Sequence, residues 1–430
     1  MSFRGMKAVL LACGGIGALL AVTADANAGG LAVREQSAWG QGTSFAGVAA
    51  GGDLSAMFWN PATMTQMPGL QSESVLSGIV PYSANTPSAA SPFAFLGGTG
   101  DTATDALVPA AYYSWQFRPD MWLGLSVNSP FGLSVSFPTV WAGGQYAAGS
   151  SYLKTYNATP SFAWRINDMI SVGVGVQIQY AKADLSHCVG APCGVGGLLA
   201  ELSGHDWGYG FTAGVTVTPT PTTTIGLGYR SGINQKIDGT ISISTVGSAA
   251  ASTAINLPDI VSLGLRQKLT PQLTGLATVE WSNWSRIGTS VVSAAPFSTT
   301  VPFEYKDGWL FSLGAEYMMT EKMKLRGGVG FEKSPITDDV RIPLLPDNDR
   351  YWLSVGASYQ MTPKLSFDLA YSHLFVKDTP INVMAPTNPS AAVLFPYFGT
   401  VDSHVDIISV AMKYRWDTPA AASKSTLYHK

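Results

Sequence analysis

Several stretches of this chain alternate, residue by residue, between apolar side chains and small or polar ones. Ile170, Val172, Val174, Val176, Ile178 and Tyr180 alternate with Ser171, Gly173, Gly175, Gln177 and Gln179. Ile225, Leu227 and Tyr229 alternate with Gly226, Gly228 and Arg230. The same rhythm runs through Trp309, Phe311, Leu313, Ala315 and Tyr317, and through Tyr351, Leu353, Val355, Ala357 and Tyr359. Near the end, Ile408, Val410, Met412, Tyr414 and Trp416 share one face. A period of two is that of a β-strand with one apolar face. No run after Gly29 reaches the roughly 18 to 20 apolar residues of a membrane helix. Composition decides where the apolar faces point. Charged residues are 12% of the 430, against roughly 25% in ordinary soluble proteins. A periplasmic sandwich or soluble barrel would need more charge on its outer face. A closed barrel in lipid does not, and it satisfies its own backbone.

Turn signals supply the strand count. Short turns stand at Arg118-Pro119-Asp120, Ile166-Asn167-Asp168, Pro219-Thr220-Pro221, Thr270-Pro271, Thr320-Glu321-Lys322 and Thr362-Pro363-Lys364. Six such turns join twelve strands. One strand before them (70–82) and one after the last loop (401–416) make fourteen, with both termini on the short-turn, periplasmic side. Gly, Ser, Thr and Pro-rich segments at 83–106, 129–150, 184–203, 232–256, 283–302, 334–348 and 377–400 read as extracellular loops. The expected fold is all-β: a 14-stranded antiparallel transmembrane β-barrel over 70–416.

The flanks read differently. Arg4 and Lys7, an apolar run over 8–22 and Ala26-Asn27-Ala28 form an export signal over 1–28. The competing reading lipidates Cys13, but the apolar run continues past it and Leu11 is bulky for a lipidation motif. Removing Arg4, Lys7 and Asp25 from 25 basic and 28 acidic residues leaves 23 and 27, net −4. Nucleic acid is therefore not an expected partner. Residues 29–69 do not alternate. They are rich in Gly and Ala, with Trp39, Phe45, Phe58 and Trp59, and read as a plug, or hatch, inside the lumen. Residues 417–430 read as a polar, flexible tail.

The residues resemble a known family at this point: the FadL type of long-chain fatty acid and aromatic-hydrocarbon channels of Gram-negative outer membranes. Arg34-Glu35-Gln36-Ser37-Ala38-Trp39-Gly40-Gln41-Gly42, followed by Trp59-Asn60-Pro61-Ala62, is similar to that family's hatch with its Asn60-Pro61-Ala62 motif. Tyr305-Lys306-Asp307-Gly308-Trp309, Phe331-Glu332-Lys333-Ser334-Pro335, Ile342-Pro343 and Pro346-Asp347-Asn348-Asp349-Arg350-Tyr351-Trp352-Leu353-Ser354 follow the family's C-terminal half in order. The resemblance implies a monomeric outer-membrane barrel, surrounded by lipid and lipopolysaccharide. It implies uptake of hydrophobic small molecules without ATP, cofactor, metal or catalysis. Ligand would leave sideways where the third strand (121–128) kinks at Ser129-Pro130-Phe131-Gly132. Pro130 cannot donate a ladder hydrogen bond and Gly132 favours a bulge; the alternative is that Pro130 merely starts a loop.

The sequence departs from the family where fatty-acid members hold a carboxylate with an Arg and a Lys. His187 and Val301 stand at those places, which favours a neutral hydrophobe such as an aromatic hydrocarbon, unless Lys154 or Lys182 supplies the charge. Leu198, Leu199 and Leu202, at helical spacing in an exposed loop, need a partner in ligand or another loop. Cys188 and Cys193 share one loop and suit a disulfide, with a metal site including His187 and His205 as the rival. Trp281, Trp284, Tyr397 and Phe398 read first as interfacial girdle residues, and otherwise as lining of a ligand path. A lipid hydrolase is the alternative function. It would rest on Ser372-His373, without a nucleophile-elbow motif.

Overall fold

The computed structural model describes residues 30–294, 297–384 and 395–417. The expected export signal and the tail past Asp417 lie outside them. The strands are β1 (Leu70–Pro87), β2 (Ala106–Arg118), β3 (Met121–Asn128), β4 (Gly132–Phe137), β5 (Gly149–Arg165), β6 (Ile170–Val189) and β7 (Leu198–Thr220). There follow β8 (Thr223–Arg230), β9 (Asn234–Ile243), β10 (Gly247–Asn256), β11 (Ile260–Lys268), β12 (Leu273–Ser282), β13 (Thr289–Ala294) and β14 (Phe297–Pro302). The last are β15 (Gly308–Met318), β16 (Met323–Lys333), β17 (Arg350–Gln360), β18 (Leu365–Val376), β19 (Thr379–Val383) and β20 (Tyr397–Arg415). Twenty segments make fourteen wall strands, because β3/β4, β8/β9, β10/β11, β12/β13, β14/β15 and β18/β19 each continue one another. Each wall strand pairs antiparallel with its neighbour. The ring closes between β1 and β20, from Gln71 opposite Arg415 to Pro87 opposite Gly399.

The alternation has its expected physical meaning. In β6, Val174 and Val176 are outward and about half exposed, while Gln177 and Gln179 are buried in the interior. Outside lipid the pattern fades but the pairing does not. The segment expected as a loop over 232–256 is mostly the β9–β10 hairpin, and β6 and β7 run far into the one expected over 184–203. β4 likewise lies inside the segment expected as a loop over 129–150. Strands that rise clear of the bilayer need no continuous apolar face, so hydropathy marks only their membrane-crossing part. Leu198, Leu199 and Leu202 consequently sit on β7 and not at helical spacing: Leu198 is exposed and Leu202 buried.

Residues 30–69 form short turns of helix, Ala38–Gln41, Val48–Ala50, Leu54–Phe58 and Pro61–Gln66, that contact wall strands around the ring. Almost all of their side chains are buried. Glycine on the inner wall lets their backbone approach. A Cβ on Gly226 would lie 1.8 Å from the Ala49 carbonyl oxygen, and one on Gly214 would lie 2.0 Å from Asn60 Oδ1.

The outer face generates a test. Val176→Arg places a charge against lipid and should cost roughly 2 to 4 kcal/mol if it lies near the midplane. Val246→Arg, at the exposed tip between β9 and β10, should change stability by less than about 0.5 kcal/mol. Urea unfolding in phospholipid vesicles measures both.

Candidate functional site: a break in the wall beside a buried segment

Between β3 and β4 the third wall strand carries one residue too many. Its ladder with β5 ends at Asn128 opposite Asn157 and resumes at Gly132 opposite Lys154. Three residues, Ser129, Pro130 and Phe131, thus face two, Thr155 and Tyr156. A surplus residue bends a strand. On the other side, the pairing of β2 with β3 stops at Ala111 opposite Val127. Beyond it, residues 106–110 of β2 keep β1 as neighbour and show no ladder partner on the open side among the described residues. Ala103 bridges Val135 further up and closes the frame. The result is a window in the wall.

The freed strand edge finds its partner inside the barrel. Val33 N donates to the Pro130 carbonyl (2.9 Å), Gly132 N donates to the Leu31 carbonyl (2.9 Å), and Ala32 bridges Phe131. Gln36 Nε2 donates to the Ser129 carbonyl at 2.9 Å. The kink is therefore a short sheet between wall and N-terminal segment, which satisfies backbone groups that would otherwise be unpaired.

Charged pairs on inward faces hold the same segment elsewhere. Arg34 donates to Glu280 of β12 and Glu332 of β16. Trp39 Nε1 donates to Glu316 of β15 at 2.6 Å, which also accepts from Arg266 at 2.7 Å. Lys413 of β20 bridges Asp53 and Asp368. Asn60 caps the turn at Pro61–Gln66: its Oδ1 accepts from Ala62 N at 3.0 Å. Its Nδ2 donates to the Ala49 carbonyl at 2.7 Å and the Val215 carbonyl at 3.0 Å. The Asn60-Pro61-Ala62 motif thus stitches the segment to β7.

A small cavity lies between these parts. Ala32, Val33, Arg34, Phe58, Trp59 and Pro130 line it, with Arg230, Ile260, Ser262, Glu280 and Ser282 from the wall. Its volume is about 30 Å³, room for about two water molecules, so any larger occupant requires the segment to shift. Phe131, Trp284 and Tyr397 belong to an apolar cluster with Leu133, Phe137 and Trp141. Trp284 and Tyr397 are therefore buried inside the barrel and are not girdle residues.

The remaining expected residues lie elsewhere. His187, opposite Ala200 at the upper end of β6, does not line the cavity, nor do Leu198, Leu199 and Leu202. Leu199 packs on Cys188 and Cys193, which are joined by a disulfide and so offer no thiolate to a metal. Val301 is on β14, its side chain outside the described residues. Ser372 and His373 are consecutive on β18 and point to opposite faces. Ser372 bonds Ser354 inside at 2.8 Å, whereas His373 Nδ1 meets Asp406 at 2.8 Å on the partly exposed side. They form no nucleophile–base pair. Arg230, Glu280 and Glu332 were not singled out from sequence, although a charge in phase with inward glycines or serines is a usable signal.

The comparisons agree with this geometry. The family described as outer membrane protein transport protein (OMPP1/FadL/TodX) matches residues 19–416. The long-chain fatty acid transport protein of Salmonella typhi is 26% identical over 406 residues, 85% of this chain and 92% of that protein. Outer membrane protein P1 of Haemophilus influenzae is 28% identical, over 83% of this chain and 88% of that one. A Pseudomonas aeruginosa FadL homologue of known structure superposes with a TM-score of 0.82 at 22% identity. It is matched along its full length by 90% of this chain. The fold and the broken wall define an outer-membrane transport barrel. This chain belongs to the OMPP1/FadL/TodX family.

Glu35 generates a prediction. Its carboxyl is buried, neither oxygen has a hydrogen-bond partner, and burial pushes its pKa up to about 7. The neutral acid therefore suits the packed state. Its contribution, worth about 3 kcal/mol, is complete below the ordinary value near 4.5 and lost as pH rises through 7. Amides of residues 33–50 should exchange faster at pH 8 than at pH 5.5 after correction for intrinsic rates. Glu35→Gln should remove the difference.

Proposed function

We propose that the protein is an uptake channel for small hydrophobic molecules, such as long-chain fatty acids or related compounds, that releases its cargo sideways into the outer membrane. One observation carries the reading: the wall is interrupted between β2 and the kink at Ser129, Pro130 and Phe131, and the kinked edge is bonded to the segment that fills the lumen. Residues 29–69 serve as the plug and residues 70–416 as the barrel, and the ring, closed between β1 and β20, works as a monomer. The names of relatives support a hydrophobic cargo: long-chain fatty acids for the Salmonella typhi protein and toluene for the structurally similar TodX of Pseudomonas putida.

Mechanically, an apolar molecule needs no hydrated pore. It binds among apolar side chains above the plug, and its own gradient drives it onward. Displacing Leu31, Ala32 and Val33 from the kink opens a route from the cavity past Pro130 to the unpaired edge of β2. Pro109 on that edge and Pro130 opposite it each lack an N–H, which hinders ladder closure across the window. No step forms or breaks a covalent bond, so the reading calls for no catalytic residue or cofactor.

Deleting Ser129 tests the proposal. The deletion removes the surplus residue, so β3 runs into β4 in register and the window narrows. Uptake of labelled oleate and toluene by cells lacking other such channels should fall to background, while the barrel still folds and resists detergent. Unchanged uptake with a folded barrel overturns lateral release.

A further inference from the structure

Lys154 and Lys182 do not face the lumen. On β6 the flanking Ala181 and Ala183 are buried inside, and Lys182 shares the outward face of Val174 and Val176. On β5, Leu153 and Thr155 are buried, and Lys154 shares the outward face of Phe162 and Trp164. Lys154 stands directly opposite Lys182, and Lys182 directly opposite His205 of β7. Three basic side chains thus form one row across three neighbouring strands on the outside of the wall. Like charges set opposite one another in a sheet repel, so the row suits an anion.

Its height on the wall is fixed by what lies below it. Tyr156, Tyr180 and Trp207 form a second row one outward position lower on the same strands. The Tyr180 ring centroid lies 5.2 Å from that of Trp207 and 5.9 Å from that of His205. Aromatic rows of this kind mark the membrane–water interface. From Val172, beside the short turn at Asn167, to Lys182 the strand runs about 33 Å, or roughly 25 Å of height at the usual tilt, which is the apolar band of such a barrel. The basic row therefore stands where the outer leaflet's acyl chains give way to head groups. Both ammonium groups gather at one ring: Lys154 Nζ is 4.7 Å and Lys182 Nζ 5.3 Å from the Tyr152 centroid. Carboxylates at this level of the outer face are Asp184, 3.5 Å from Lys182, and Asp238, opposite His205. Lys154, Lys182 and the exposed Lys236 outnumber them before His205 is counted.

We infer that this row docks a phosphorylated glycolipid of the outer leaflet. One phosphate sits between the Lys154 and Lys182 ammonium groups, where its several oxygens accept from both, with His205 at its flank. The acyl chains run down over Tyr156, Tyr180 and Trp207 to Val174 and Val176. A free phosphate would meet the ammonium groups but leave the aromatic row and the apolar wall beneath it unused, which favours a lipid. The docked lipid lies beside the kink, because Lys154 is opposite Gly132, where the ladder resumes, and Tyr156 is one of the two residues that face the surplus. The inference is independent of what the channel carries, and it leaves no role for either lysine in holding a cargo inside.

Binding of diphosphoryl lipid A, the same lipid stripped of its phosphates, and phosphatidylglycerol to the purified full chain in detergent tests it, read by native mass spectrometry, with inorganic phosphate as competitor. The diphosphoryl form should bind most tightly. Lys154→Gln with Lys182→Gln should weaken it roughly 10- to 30-fold, as expected for two basic residues at an anionic lipid surface, and leave the stripped form unchanged. The same loss of charge at Lys268 and Lys324, at the short-turn ends of β11 and β16, should change neither. Equal binding of the phosphorylated and stripped forms, or an unchanged double variant with a folded barrel, overturns the site. Phosphatidylglycerol binding as tightly as lipid A, or complete displacement by millimolar phosphate, overturns the glycolipid as its occupant. If the double variant does not fold, the wild-type ranking of the ligands still decides.

Discussion

In lipid no water is available to bond a free amide or carbonyl, so every wall strand must be paired on both sides. The ring from β1 to β20 meets that demand almost everywhere. Where β3 gives way to β4 it does not, and much of the molecule's organisation answers that exception. The strand edge turns inward and pairs with Leu31, Ala32 and Val33. Closing the lumen and leaving the wall open are thereby one arrangement: the same hydrogen bonds hold the N-terminal segment and the bent strand.

The second constraint is electrostatic. Charges on a barrel of this kind are excluded from the lipid face, and here the packed N-terminal segment also excludes them from bulk water. Burial makes pairing mandatory, because an unmatched partner costs more than the pair returns. Arg34 with Glu280 and Glu332, and Lys413 with Asp53 and Asp368, are ties of this sort. They are strong when intact and expensive when half-broken, which suits a segment that must stay seated and move as a unit. Glu35 and Arg230 depart from the rule. Each is buried with polar atoms lacking partners, and Arg230 lines the cavity that Arg34, next to Glu35, also lines. Groups that the folded chain leaves unsatisfied mark places where protons, water or ligand still have something to contribute.

Much of the wall was legible residue by residue. Period-two alternation in β6, β8, β15, β17 and β20 says which side chains meet lipid, and the turns at Pro119, Asn167, Thr220, Pro271, Glu321 and Pro363 divide the chain into strands. The break at Pro130 was what the family resemblance implied; the missing donor of Pro130 by itself fitted the start of a loop equally. Alternation is a statement about faces, however, and it requires an apolar environment on one of them. Above the membrane that requirement lapses, so the extensions of β6, β7, β9 and β10 read as loops, and Leu198, Leu199 and Leu202 read as a helical stripe.

The sequence by itself determined the class of fold and the strand number, because these follow from local periodicity and turn chemistry, whereas the kink came from the family resemblance. Tertiary structure alone decided which inward residues meet across the lumen. Arg34 and Glu332 are 298 positions apart and hydrogen-bonded; Trp284 is buried against Phe131; Arg230 stands over the Phe58 ring. A strand pattern fixes the face on which a side chain lies. The partner it meets depends on closure of the ring and on how residues 30–69 thread it, and no local spacing encodes either.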